Sequence, residues 1–166
     1  DELVTIYTST ADGRTYGETS FQDYLSVAEN TRSMEGVAAF RVGILEVGEG
    51  GSRDRVLAEL VTGNYFAVLG VRPAAGRFFA ADETGVGTAR RVMVLSHRGW
   101  QERFGGARDV VGRELRLDGQ PFTVIGVAPE GLVGRYLRLD VDGWIPLGIP
   151  GGTYHATPRE LADRND

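Results

Sequence analysis

The dipeptide Asp118-Gly119 stands between two β-type runs, residues 113–117 and 120–127, inside the stretch 110–131 (VVGRELRLDGQPFTVIGVAPEG). A tight loop joining two strands needs positive φ at both central positions, and Asp-Gly meets that need better than most pairs. The spacing predicts a hairpin in which Leu117 pairs with Gln120, Leu115 with Phe122 and Arg113 with Val124. In that register Leu115, Leu117, Phe122 and Val124 share one face, which a core must cover. Pro121 has no N–H to give a neighbouring strand, so it is expected at an edge or a non-bonding position. The stretch carries no catalytic group.

The rest of the chain reads as short elements. Residues 3–8 (LVTIYT) have strand composition, and Asp12-Gly13 then turns into a polar loop. Ser20 is placed as a helix N-cap with Asp23 reaching back, and Phe21, Tyr24, Leu25 and Ala28 make one apolar face over residues 20–30. Residues 36–47 and 55–61 read as a hairpin with a Gly-rich tip. Residues 64–70 read as a short helix, capped by Asn64 and ended by Gly70. Two aromatics, Phe78 and Phe79, follow Gly76-Arg77, and residues 84–89 form a loop. Residues 92–95 are an all-apolar strand, covered on both faces. Ser96 then caps a helix to Phe104, with Trp100 and Phe104 stacked, and Gly105-Gly106 ends it. Residues 144–147 make a last short strand. Without a βαβαβ rhythm this mixture is α+β rather than a doubly wound parallel sheet.

Composition removes several functions. The 166 residues carry a net charge of -5, against the basic stripe a nucleic-acid binder needs. Every basic residue apart from the two histidines is arginine, and cysteine is absent, so lysine chemistry, thiol nucleophiles and Cys-ligated zinc are out. No apolar run reaches the roughly 20 residues of a membrane-spanning helix.

Side chains that carry chemistry elsewhere have plainer readings here. Ser96 and His97 are adjacent, but Ser96 occupies a cap position without the glycines of a nucleophile elbow, and His97 reads as a surface residue. His155 lies in a loose tail. Asp82-Glu83 and the pair Asp140, Asp142 read as solvated turns, since neither fits a calcium loop. Gly85-Val86-Gly87 lacks the strand, helix and Lys-Ser/Thr of a phosphate loop. Arg90-Arg91 and Arg53 with Arg55 read as surface charge. Tyr65, Phe66, Phe78, Phe79, Trp100, Phe104 and Trp144 read as core rather than as a pocket lining. No catalytic, cofactor-binding or metal-ligating residue is assigned.

Several blocks together resemble one family. Residues 61–66, with Gly63, Asn64, Tyr65 and Phe66, followed by 69–73 and Gly76-Arg77, are similar to the "SGNYF…LGVRPxxGR" block of MacB-like periplasmic core domains. Val94-Leu95-Ser96, Trp100, Phe104 and Gly105-Gly106 resemble its "VLSxxxWxxxFGG". Val111-Gly112, Leu115, Leu117, Asp118-Gly119 and the run 122–129, with Gly126, resemble "VGxxLxLdGxxFtVIGVaP". Trp144-Ile145-Pro146-Leu147 matches "vWiPL". Residues 20–24 and 33–36 fit the "SfpDY" and "SfeG" patterns of large permeases that lack their own ATPase.

The resemblance implies an α+β domain of two lobes. One is a porter-like α/β lobe from residues 1–61 and 144–166, partial because the family's closing strand and helix do not follow residue 147. The other is an inserted, mostly β sabre-like lobe over 62–143. It also implies a non-catalytic, extracytoplasmic domain of an FtsX-like ABC-transporter permease in the inner membrane, without a cofactor, which transmits conformational change. Its partners would be transmembrane helices of the same chain, a separate ATPase and periplasmic proteins, and no nucleic acid. The alternatives are a periplasmic ligand-binding module holding a lipid, peptide or drug in an inter-lobe cleft and, more remotely, a periplasmic hydrolase built on Ser96, His97 and a buried carboxylate.

Overall fold

A computed structural model describes residues 3–7, 19–48, 54–135, 138 and 140–149. The elements follow in the order α1 (Phe21–Asn30), β1 (Phe40–Glu46), β2 (Arg55–Val61), α2 (Tyr65–Leu69), β3 (Ala75–Gly76), a 3-10 turn (Ala81–Glu83), β4 (Val92–Leu95), α3 (His97–Phe104), β5 (Glu114–Leu117), β6 (Gln120–Val127) and β7 (Gly143–Pro146). The class is mixed α and β, as the sequence indicates.

All seven strands share one sheet in the order β1-β2-β7-β4-β6-β3, with β5 on β6. β2 pairs antiparallel with β1 and parallel with β7. β4 pairs antiparallel with β7 and parallel with β6. A bridge between Val47 and Leu117 joins the end of β1 to β5, so six strands curl into a closed ring. Segments 1–61, 62–143 and 144–166 all contribute strands to it.

The ring sorts the apolar side chains into two cores. Leu45, Val56, Ala58, Leu60, Met93, Leu95, Leu117, Phe122, Val124, Val127 and Ile145 form one cluster. They come from all six ring strands, and only the inner face of a ring lets six strands share neighbours. Val61, Val92, Val94, Ile125 and Trp144 lie on the outer face, covered by Tyr65 and Phe66 of α2. A bulge keeps this alternation in step. The β4–β6 register shifts between Met93 and Val94, so that Val94 faces Gly126 and both Val124 and Val127 point inward.

The hairpin has the expected register, Leu117 opposite Gln120 and Leu115 opposite Phe122. The Val124 N–H donates to the Arg113 carbonyl, which continues it. Asp118 and Gly119 have φ of 48° and 71°, the positive values the turn requires. β4 joins β6 only from Thr123 onward, so Pro121 lies ahead of that ladder. Where β3 meets β6, Gly76 faces Gly126. A Cβ on Gly126 would come within 2.2 Å of the Arg77 carbonyl oxygen, so this backbone approach needs glycine.

Helix signals also hold. The Ser20 and Ser96 hydroxyls accept from the N–H groups of Asp23 and Gly99. Gly70 and Gly105 end α2 and α3 in the left-handed conformation. Other expectations need correction. Residues 3–7 form no strand, and Leu3, Val4 and Ile6 are exposed; β propensity without a partner does not make a strand. β1 starts at Phe40 rather than at Gly36. Asn64 occupies the cap position of α2 but makes no cap bond, and its amide instead donates to the Val37 carbonyl. The ring contact of Trp100 is an edge-on one with His97, and its indole N–H donates to the Ala107 carbonyl. Asp12, Gly13, the 49–53 tip and His155 lie outside the described residues.

Two glycine substitutions test this geometry. Gly119→Ala meets open space and should lower unfolding free energy by about 1 kcal/mol through its positive φ alone. Gly126→Ala has no such φ but must displace backbone, so urea denaturation should find it the more damaging of the two. Equal losses would contradict the close β3–β6 approach.

Candidate functional site

β2 brings a carboxylate to an apolar place. Its alternation turns Val56, Ala58 and Leu60 into the ring, which leaves Leu57, Glu59 and Val61 on the outer face. Glu59 is fully buried there and stands opposite Trp144 of β7. Its Oε2 accepts from the Tyr65 hydroxyl at 2.7 Å and from the Trp144 indole N–H at 2.9 Å. Its Oε1 accepts from the Arg135 backbone N–H. A buried carboxylate is tolerable only with donors of this kind around it. The three bonds tie β2 to α2, to β7 and to the long connection between β6 and β7.

Aromatic rings close over this group. Phe66 stacks on Phe78 with centroids 3.9 Å apart and meets Trp144 edge-on at 5.5 Å. Tyr65 is edge-on to Phe66. Burial pushes the Tyr65 phenol well above the ordinary tyrosine range, and the neighbouring Glu59 carboxylate adds to the rise. Tyr65 is therefore held as a neutral donor. The cluster is a packing unit whose centre, Glu59, Tyr65, Phe66 and Trp144, is buried, with Phe78 and Phe79 partly exposed at its rim.

Among the described residues, the other buried polar side chains, Glu83, Ser96 and Asp142, are also engaged. Asp142 is buried, and its Oδ2 accepts from the Leu57 N–H at 2.8 Å. Its Oδ1 lies 3.3 Å from Arg103 Nε, while Arg103 also pairs with Asp54 and donates to the Arg55 carbonyl. This clamp fixes α3 against the start of β2, at the turn end of the β1–β2 hairpin. Glu83 is buried too, bound through both oxygens by the Arg77 guanidinium, which holds its carboxyl below the usual range. Reading Glu83 and Asp142 as solvated turn residues was therefore incorrect. Asp82 is exposed, as expected.

The sequence-selected residues lie in separate places. Tyr65, Phe66 and Trp144 meet in the outer cluster, and Gly76, Arg77 and Gly126 meet at the β3–β6 joint. Gly63 lies against Thr84, beside Asn64. Ser96 and Trp100 lie on α3, and Asp118-Gly119 at the hairpin turn. Ser96 is buried with its hydroxyl serving as the helix cap, and the His97 ring turns to Trp100. No group of three metal-ligating side chains occurs among the described residues. An open groove of about 220 Å³ runs beside Ser96, His97, Arg98, Glu130 and Leu132, below the roughly 300–1,000 Å³ usual for small-molecule sites. Glu59 was missed by sequence reasoning; its signal was a single acid in the apolar run VLAELV.

The family model for the MacB-like periplasmic core domain matches residues 1–162. A search of the curated proteins finds no match. Among solved structures, the chain resembles the extracellular domain of the noncanonic ABC-type transporter YknZ from Gram-positive bacteria. That match has 20 % identity and a TM-score of 0.57, over 75 % of this chain and 61 % of that one. The periplasmic region of MacB from Actinobacillus actinomycetemcomitans matches with 19 % identity and a TM-score of 0.61, over 89 % and 67 %. A domain of a putative permease from Porphyromonas gingivalis matches with 16 % identity and a TM-score of 0.59, over 93 % and 61 %. The chain thus spans less than two thirds of the first and third of these.

Two measurements test the cluster. Glu59→Gln turns an amide N–H₂ toward surrounding donors and should lower stability by about 1–3 kcal/mol. Free tyrosine ionises near pH 10, whereas folded Tyr65 resists ionisation. Its contribution is thus full below about pH 10 and is lost as pH rises beyond that point. Tyr65→Phe should lack this share of the alkaline decline in urea titrations, and identical alkaline slopes would contradict the assignment.

Proposed function

The chain belongs to the MacB-like periplasmic core domain family, and on that footing we propose that it is the extracytoplasmic domain of an ABC-transporter-type permease, passing conformational change between membrane and periplasm. The family match over residues 1–162 is the observation that carries this reading. The non-catalytic role draws support from the buried polar groups. Glu59, Glu83 and Asp142 are each held in bonds that join elements of the fold, and the Ser96 hydroxyl is used as the cap of α3. A closed ring with two cores suits displacement as a rigid body, the form in which such domains pass on motion. Transmembrane helices of the same protein, a separate ATPase and periplasmic partner proteins are the partners this reading requires. No helix among the described residues is long and apolar enough to cross a membrane, which leaves anchoring to sequence outside them. The groove beside α3, at about 220 Å³, gives the ligand-holding alternative no support.

Membrane topology mapping of the full-length protein tests the proposal. Cysteine is absent from this sequence, so single cysteines at exposed sites such as Arg72 or Glu114, compared with the full-length protein lacking them, give an accessibility signal specific to this segment. Labelling of intact cells by a membrane-impermeant thiol reagent is expected. Protection in intact cells with labelling only after lysis would overturn it.

A further inference from the structure

The ring closes at one narrow seam. β1 is bonded to β2 along its whole length, but its opposite edge meets β5 only beyond Leu45. There the Asp118 N–H donates to the Glu46 carbonyl at 2.8 Å, and the Gly48 N–H donates to the Arg116 carbonyl at 2.9 Å. The Asp118 carboxylate completes the contact, its Oδ1 accepting from the Glu46 N–H at 2.7 Å. Its Oδ2 is buried without a hydrogen-bond partner, an unfavourable state for a carboxylate oxygen. The joint between β4 and β7 is also short, but both of its strands are buried throughout and Ser96 extends it by a bond to Asp142. The seam lacks that cover, for Ile44 and Arg116 beside it are exposed.

We infer that the β1–β5 seam is a latch, closed by the Asp118 side chain, at which the ring opens while the rest of the sheet stays paired. Asp118 then has two roles, one in the backbone turn and one across the seam. Opening parts β1 from β5 while β2 stays held by β7 and by the Arg103 clamp, and it uncovers Leu45 and Leu117, both otherwise fully buried. The device belongs to the fold itself and stands apart from the transport reading.

Amide hydrogen exchange on the whole chain, read by NMR, tests it residue by residue. Neighbouring amides of one segment point to opposite sides. Glu46 and Gly48 donate into the seam, whereas Val47 donates to Asp54 within the hairpin. In the native protein Glu46, Gly48 and Asp118 should exchange at least about tenfold faster than Val47 and than Ala128 on the β4–β6 joint. Asp118→Gly keeps a residue at ease with positive φ and removes the side chain that closes the seam. It should speed Gly48, whose own acceptor is untouched, by about a further tenfold, and leave Val47 and Ala128 unchanged. Asp118→Asn keeps the acceptor and should behave as the native protein. Seam amides that exchange at the rate of Val47 and Ala128, or an Asp118→Gly effect spread evenly over all of them, would overturn the latch. Should Asp118→Gly fail to fold, the native profile and Asp118→Asn decide by the same criterion.

Discussion

β2 is bonded along both edges, to β1 and to β7, and both of its faces are covered. A strand in that position cannot slip by one residue, because a slip exchanges its two faces. Here the exchange would carry Glu59 into the apolar ring and leave its carboxylate without Tyr65, Trp144 or the Arg135 N–H. The unbonded group would forfeit far more than the net 0.5–1.5 kcal/mol or so of an ordinary hydrogen bond. Glu59 thus fixes the register of β2, and through the pairing of Glu59 with Trp144 that of β7. The remaining strands are placed from these two.

What the sequence made legible was local. The Asp118-Gly119 turn, the serine caps of α1 and α3 and the all-apolar β4 depend on residues a few positions apart, and all are in the structure. The parallel pairing of β2 with β7 joins positions more than eighty residues apart, and nothing in either segment names the other. The same distance hid Asp142. Beside Asp140 in a polar stretch it reads as a solvated turn, yet Leu57 and Arg103 bury it. Residues 3–7 failed in the opposite direction, with strand composition but no strand.

The family membership gives these observations a setting. The glycines and aromatics on which the resemblance rests fall in this chain at a close backbone approach, at helix ends and in ring contacts. Polar residues that invite a chemical reading, Ser96 and Glu59 above all, hold elements together. For a domain proposed to pass on motion, such internal ties matter because a displaced ring must move without losing its shape. On the reading proposed above, the seam at Asp118 leaves room for local give.

The central claim is that a single closed sheet joins the inner and outer cores into one cooperative unit. Two tryptophans report on them separately, since Trp100 packs against the inner cluster and Trp144 belongs to the outer one. Urea unfolding of the Trp144→Phe and Trp100→Phe variants, each followed by fluorescence and far-UV circular dichroism, tests the claim most directly. Within each variant the two signals should change together at one midpoint. Fluorescence that separates from circular dichroism in either variant, so that one core melts while the other persists, would contradict the claim.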